Sequence, residues 1–190
     1  EVIGNTFEIR KQIFRYSKNN YKILFVGNIN YLPNKIACYN FAKKILPRLY
    51  KKYSHLEFNI VGKINILDKF FLSKIKNVKI HGPVKKLDTH IKQSICGVCN
   101  LNIATGIQTK IFTYMSYGLP AIVHNNSFPK SILRKNHQVF VYKNDDQLVS
   151  YIFKLIENKK IANKISKSSF RSLKMKFNSS KIYGNYLKTF

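Results

Sequence analysis

The chain has 190 residues, 45% of them hydrophobic, enough for one domain of ordinary size with a sizeable core. Lys and Arg number 34 against 8 acids, a net charge of +26, so any polyanion is drawn to it: nucleic acid, anionic lipid or a phosphorylated small molecule. No apolar run approaches the roughly 20 residues of a membrane-spanning helix, no signal-peptide pattern opens the chain, and three cysteines (Cys38, Cys96, Cys99) suit a reducing compartment better than a disulfide framework.

Cytosol is therefore the expected setting, and Glu1 in place of Met suggests a piece of a longer polypeptide. The lysines are spread along the chain among abundant Asn and Ile. That pattern reads as compositional bias more readily than as one binding patch.

In chain order, residues 1–20 read as a connecting segment. Tyr21–Val26 is a buried strand closed by Gly27, and Glu57–Val61 is a second closed by Gly62. Val78–His81 stops at Gly82-Pro83. Gly97–Leu101, Ala121–Val123 and Gln138–Tyr142 complete six short, β-branched-rich runs with Gly, Pro or Asn at their ends. Between the first two, Ala37, Phe41, Ile45, Leu49 and Tyr53 recur every four residues and predict a helix from about Asn34 to Tyr53, kinked or broken at Pro47. Further helices are expected over Asp88–Ser94, Lys110–Tyr117, Asp145–Glu157 (capped by Asn144), Ile161–Met175 and Ser179–Phe190.

Strands alternating with helices imply parallel strands joined by crossover helices: an α/β, Rossmann-like, doubly wound sheet of about six strands over residues 21–178, followed by a C-terminal helix over 179–190. Ligands of such sheets sit at the carboxyl ends of the strands, here the loops after Val26, Val61, Ile80, Leu101 and Val123. The most informative stretch is Thr105–Val123, a glycine turn, a helix, the stop Gly118 and a strand led by Pro120. The helix opening offers unpaired N–H groups and Lys110 adds a full charge, a site suited to a diphosphate. Read on spacing alone, a plain connecting helix with a solvated Lys110 is as good an account.

Other constellations carry less. Cys96 and Cys99 in one strand would point to opposite faces and could not chelate together, so buried thiols are expected. His81 and His124 stand at strand ends, where a ligand contact or a structural role is open to each. The acids are scattered and form no carboxylate pair.

Gly106-Ile107-Gln108-x-Lys110, followed by a short helix and Gly118-Leu119-Pro120-Ala121-Ile122-Val123, resembles the signature segment of family 4 glycosyltransferases. Phe25-Val26-Gly27-Asn28 with Pro33-Asn34, Ile60-Val61-Gly62 and Val78–Val84 resemble that family's preceding strands and loops in order and spacing. The resemblance implies the C-terminal, donor-binding half of a GT-B enzyme without its N-terminal acceptor domain. That enzyme transfers a sugar from a nucleoside-diphosphate sugar to a polysaccharide, lipopolysaccharide or lipid-linked acceptor, with no metal and no cofactor beyond the donor.

On that reading Gly27 and Asn28 approach the donor, Val84 lies near the base, and Gly106, Ile107 and Gln108 line the sugar and phosphates. Lys110 meets the diphosphate. Two glutamates usual in the family are Thr105 and Thr113 here, and the usual Arg and Lys are missing between Gly27 and Pro33, with Lys35 out of register. A non-catalytic sugar-nucleotide-binding domain is thus one alternative. A basic nucleic-acid-binding module is another, supported by charge alone, since no ribonucleoprotein motif, zinc finger or Gly-x-x-Gly clamp is present. The basic surface also suggests an anionic membrane as a partner and a peripheral location on it.

Overall fold

The structure, a computed structural model, describes residues 13–102 and 108–176. Its framework is one six-stranded sheet in the order β3-β2-β1-β4-β5-β6: β1 Lys22–Val26, β2 Glu57–Val61, β3 Val78–His81, β4 Ser94–Cys99, β5 Ala121–His124 and β6 Phe140–Tyr142. Every neighbouring pair is parallel. Parallel pairing forces each connection to cross back over a face, and the expected doubly wound architecture results. The inner strands β1, β2, β4 and β5 are buried on both faces and mostly apolar, as a sheet covered by helices on both sides requires.

The helices are α1 Leu32–Asn40, α2 Leu46–Tyr50, α3 Ile66–Ser73, α4 Asp88–Lys92, α5 Thr109–Ser116, α6 Asp145–Glu157 and α7 Lys159–Lys176. The single helix expected over Asn34–Tyr53 starts earlier, at Leu32, and is split: a π-helical turn, Phe41–Ile45, separates α1 from α2. Pro47 supplies the reason. It lacks an N–H, and its ring collides with the carbonyl four residues back, so the ladder widens by one residue and Leu46 N–H reaches Phe41 O. The apolar stripe is kept: Ala37, Phe41, Ile45 and Leu49 are buried, with Phe41 stacked on Phe58 of β2 at 4.3 Å.

Other boundaries shift by a few residues. β4 begins at Ser94, where a helix was expected to end, and stops at Cys99. α6 has the expected limits: Asn144 Oδ1 accepts from Gln147 N–H at 3.0 Å, while Gln147 Oε1 accepts from Lys143 N–H at 2.9 Å. Helix α3 is the element that the periodicity does not announce. Only Asp68 and Leu72 face inward, while Ile66, Leu67, Phe70 and Phe71 stand exposed. A helix whose outer face is apolar has no polar half to mark its period.

Of the segment expected to connect, residues 13–20 lie against the domain. Ile13 and Phe14 N–H both donate to Tyr117 O, Phe14 enters the core, and Tyr16 Oη donates to Ile156 O at 2.6 Å. The expected helix Ser179–Phe190 lies outside the described residues.

Candidate functional site

In the observed order, chain connections run outward in opposite directions from β1 and β4, so the crevice between them is the switch point at which such sheets bind ligands. β1 pairs with β4 only from Lys22 to Leu24. Past Leu24 the two strands part, and the gap is filled by the hydroxyl of Tyr114, from α5. Val26 N–H donates to Tyr114 Oη at 2.9 Å, and Tyr114 Oη donates to Val98 O at 3.2 Å, with Leu24 O at 3.4 Å. The ring needs Gly97: a methyl there would sit 2.5 Å from the ring carbons. One tyrosine thus wedges the crevice open and satisfies the backbone that opening exposes.

Tyr114→Phe leaves the part-buried Val26 N–H without its acceptor and should lower stability by about 1–2 kcal/mol. Urea denaturation of the two proteins measures it; an unchanged midpoint would mean that water replaces the hydroxyl and that the wedge is not the phenol.

Above the wedge, β1 ends in Gly27-Asn28, and α5 brings Lys110 beneath them. Lys110 is only 7% exposed; its Nζ donates to Asn34 Oδ1 at 2.5 Å and lies 4.5 Å from the centre of the Phe25 ring. Asn34 is oriented by its other end, since Nδ2 donates to Asn28 O at 2.8 Å. The carbonyl oxygen of the amide must therefore face the ammonium. Gly27 makes room: a side chain there would begin 3.1 Å from Asn34 Nδ2 and 3.5 Å from Lys110 Cε. Burial holds the Lys110 pKa below the usual lysine value. Among the described residues the ammonium's one hydrogen-bond partner is a neutral amide, beside an aromatic face, surroundings that favour an incoming anion.

Gly27, Asn28 and Lys110, singled out by the sequence, are thus brought together, and the residue that joins them is Asn34. An Asn just after a helix-opening Pro reads as a routine first-turn residue, so only its place in the motif marks it. Gln108 takes the N-cap position of α5 with extended backbone. Thr113 sits one turn beyond Lys110, where its Oγ1 donates back to Thr109 O at 3.2 Å. Val84 is exposed in the loop after β3. Thr105, Gly106 and Ile107 lie outside the described residues.

Cys96 and Cys99 fall in β4 at positions of opposite facing and are buried. Burial raises both thiols, Cys99 to about 11 and Cys96 further, so neither is a thiolate at neutral pH. His124 caps the short turn Asn125–Ser127, its Nδ1 accepting from Asn126 N–H at 3.2 Å.

His81 takes a structural place. Its Nε2 lies 2.7 Å from Oδ1 of the fully buried Asn59, whose Nδ2 leans toward Glu57, so His81 donates and carries its proton on Nε2. His90 of α4 packs edge-on to it at 4.5 Å, with its buried Nδ1 unpartnered. Burial lowers both imidazoles below their usual 6.5; for His81 the nearby Lys22 and Lys79 add to this while Glu57 opposes it, and for His90 His81 and Lys22 add. Neutral rings are thus the folded form, and their stability contribution is present above pH 6.5 and lost as pH falls below it. Melting temperature should therefore drop faster between pH 7 and pH 5 in the wild type than in a His81→Asn, His90→Gln variant; parallel curves would remove this pair as the cause.

These features define a Rossmann-like half-domain of the GT-B type, with a buried lysine at the opening of α5 facing the switch-point crevice. The chain belongs to the glycosyl transferases group 1 family, whose model matches residues 20–158. No curated protein matches it in sequence. Among solved structures, it is similar to a point mutant of S. aureus TarM in complex with fondaparinux, alpha-GlcNAc-glycerol and UDP, at 14% identity and a TM-score of 0.79 over 99% of this chain and 38% of that one. Anabaena HepE in complex with UDP and glucose matches at 12% identity and TM-score 0.71, over 90% and 48%. The C-terminal domain of the group 1 protein LpcC from Francisella tularensis matches at 14% and 0.65, over 87% and 96%. The chain thus spans less than half of TarM and HepE and nearly all of an isolated C-terminal domain.

Proposed function

We propose that residues 21–178 form the donor-binding domain of a family 4-type sugar transferase, which takes a sugar from a nucleoside-diphosphate sugar. The observation that carries this reading is Lys110, a buried ammonium oriented by Asn34 under Gly27-Asn28 at the switch point. When the bond between the sugar's anomeric carbon and the diphosphate oxygen breaks, its electron pair stays on that oxygen. A desolvated cation beside it stabilises the developing charge more than a solvated one would. Lys110 and the N–H groups opening α5 do this without a divalent metal.

In this reading Gly106, Ile107 and Gln108 line the donor sugar and phosphates, Val84 flanks the base, and Thr113 faces a ribose hydroxyl as a weaker partner than a glutamate. The acceptor is a polysaccharide, lipopolysaccharide or lipid-linked sugar, held by a second, N-terminal domain that closes over the same edge. An anionic membrane is a further partner of the basic surface.

The test is a calorimetric titration of the chain with UDP, GDP and ADP at moderate salt. UDP comes first because HepE and TarM were crystallised with it. Selective binding of one nucleotide supports the donor site. Equal, weak and salt-sensitive binding of all three would reduce the site to the attraction of a basic protein for phosphate and sink the proposal.

A further inference from the structure

Among the described residues, all but two of the large hydrophobic side chains that stand exposed lie on, or immediately before, two neighbouring helices. Leu32 and Ile36 are on α1, with Tyr31 just before it; Ile66, Leu67, Phe70 and Phe71 are on α3, with Ile66 85% and Leu67 70% exposed. The helices are fastened side by side. Lys35 of α1 meets Asp68 of α3 at 2.7 Å, Tyr39 Oη donates to the same carboxylate at 3.1 Å, and Asn65 Nδ2 reaches Asn30 Oδ1. The apolar residues of α3 fall at i, i+1, i+4 and i+5, one continuous outer stripe, while Asp68 and Leu72 take the inner face. A stripe this exposed plays no part in the core and is rare on a protein that works alone in water.

The stripe is collared by lysines. Lys63, Lys69 and Lys74 surround α3, Lys74 Nζ lying 4.0 Å from the centre of the Phe70 ring. The acid of α3, Asp68, is already engaged by Lys35. An apolar centre inside an uncompensated cationic rim is complementary to one kind of surface: hydrocarbon beneath a layer of negative headgroups.

We propose that the outer face of α1 and α3 inserts shallowly into an anionic lipid bilayer. Both helices begin immediately after the carboxyl ends of β1 and β2, and Ile29 N–H donates to Lys63 O at 2.7 Å, tying this face to the Gly27-Asn28 loop. Insertion therefore brings the switch-point edge to the headgroup layer. That the edge then meets a lipid-borne acceptor rests on the donor-domain reading; insertion itself does not.

The chain contains no Trp, so Phe71→Trp is a reporter without background, and Met175→Trp, at an exposed position of α7, is its control. Each is mixed with vesicles of phosphatidylcholine alone, or with about 30% phosphatidylglycerol, at low salt and at roughly 0.5 M salt. The expected result for the Phe71→Trp protein is a blue-shifted emission, quenched by brominated acyl chains, with anionic vesicles only. The emission of the Met175→Trp control should not shift. Leu67→Glu with Phe70→Glu should weaken vesicle co-sedimentation at least about tenfold while leaving nucleotide binding as in the wild type, so that failure here and failure of the donor reading are told apart. Binding without a shift from the α3 reporter, equal shifts from reporter and control, or unchanged binding of the Glu variant would each assign attachment to diffuse charge and overturn the proposal. So would a wild-type dimer that the Glu variant dissociates, since a second copy would then be the occupant.

Discussion

Replacing Lys110 by Met should weaken nucleotide binding by roughly a hundredfold, the worth of about 2–3 kcal/mol for a charge-assisted contact to a phosphate in a dry site. The fold should hardly notice. Met fills most of the volume of the lysine stem beside Phe25, and removing a buried ammonium relieves its desolvation, a change that is often neutral or stabilising. Against that gain stands the loss of the hydrogen bond to Asn34 Oδ1, which is left facing an apolar group. The two effects are of similar size and opposite sign, so the unfolding free energy should move by no more than about 1 kcal/mol. The comparison to make is UDP titration beside urea denaturation on the same two proteins. If affinity and stability fell together, Lys110 would be a structural lysine and the anion-binding reading would be lost. If neither moved, the ammonium would be irrelevant to both.

That separation matters because the same residue was already prominent in the sequence, where a lysine at a helix opening had a bland account of equal weight. What decides between the accounts is burial and the company of Asn34 and Gly27, neither of which has a one-dimensional signature. The strands were legible because parallel strands covered on both sides must be continuous apolar runs, and Gly27, Gly62 and Gly82 punctuate three of them. Helix α6 was legible because its cap and its polar face both appear in the chain. Helix α3 was not, and for a physical reason: the rule that finds helices assumes an outer face turned to water, and Phe70 and Phe71 break that assumption. Tyr114 hid for the opposite reason, as one more apolar position of α5, although its hydroxyl organises the crevice. Of the donor loop singled out in the sequence, Gln108 takes the N-cap of α5, which begins at Thr109, one residue ahead of the expected start, while Thr105, Gly106 and Ile107 fall outside the described residues.

Gly62→Ala should be the most damaging small substitution near the site. The residue lies at φ +142°, a conformation closed to side-chain-bearing L-residues, and its added methyl would fall 1.9 Å from Gly27 O. Neither backbone is free to retreat. Gly27 N–H donates to Val61 O at 3.0 Å, and Gly62 N–H donates to His81 O at 3.2 Å, so the ends of β1, β2 and β3 are tied in series. Relief requires breaking one of these bonds or flipping the peptide after Gly27, and the expected loss is at least about 3–4 kcal/mol. For a domain of this size that lowers the melting temperature by roughly 10 °C. Gly82→Ala is the matched control, because a methyl there meets nothing within 4 Å; its effect should stay within about 0.5 kcal/mol. The pair also tests the site. Whatever fraction of Gly62→Ala remains folded must carry a displaced Gly27 carbonyl, so its UDP affinity should fall even at temperatures where circular dichroism reports a native fold. A variant as stable as Gly82→Ala would show that the β1 and β2 ends are not locked together. A destabilised variant with undiminished affinity would show that the Gly27-Asn28 loop does not bear on the nucleotide.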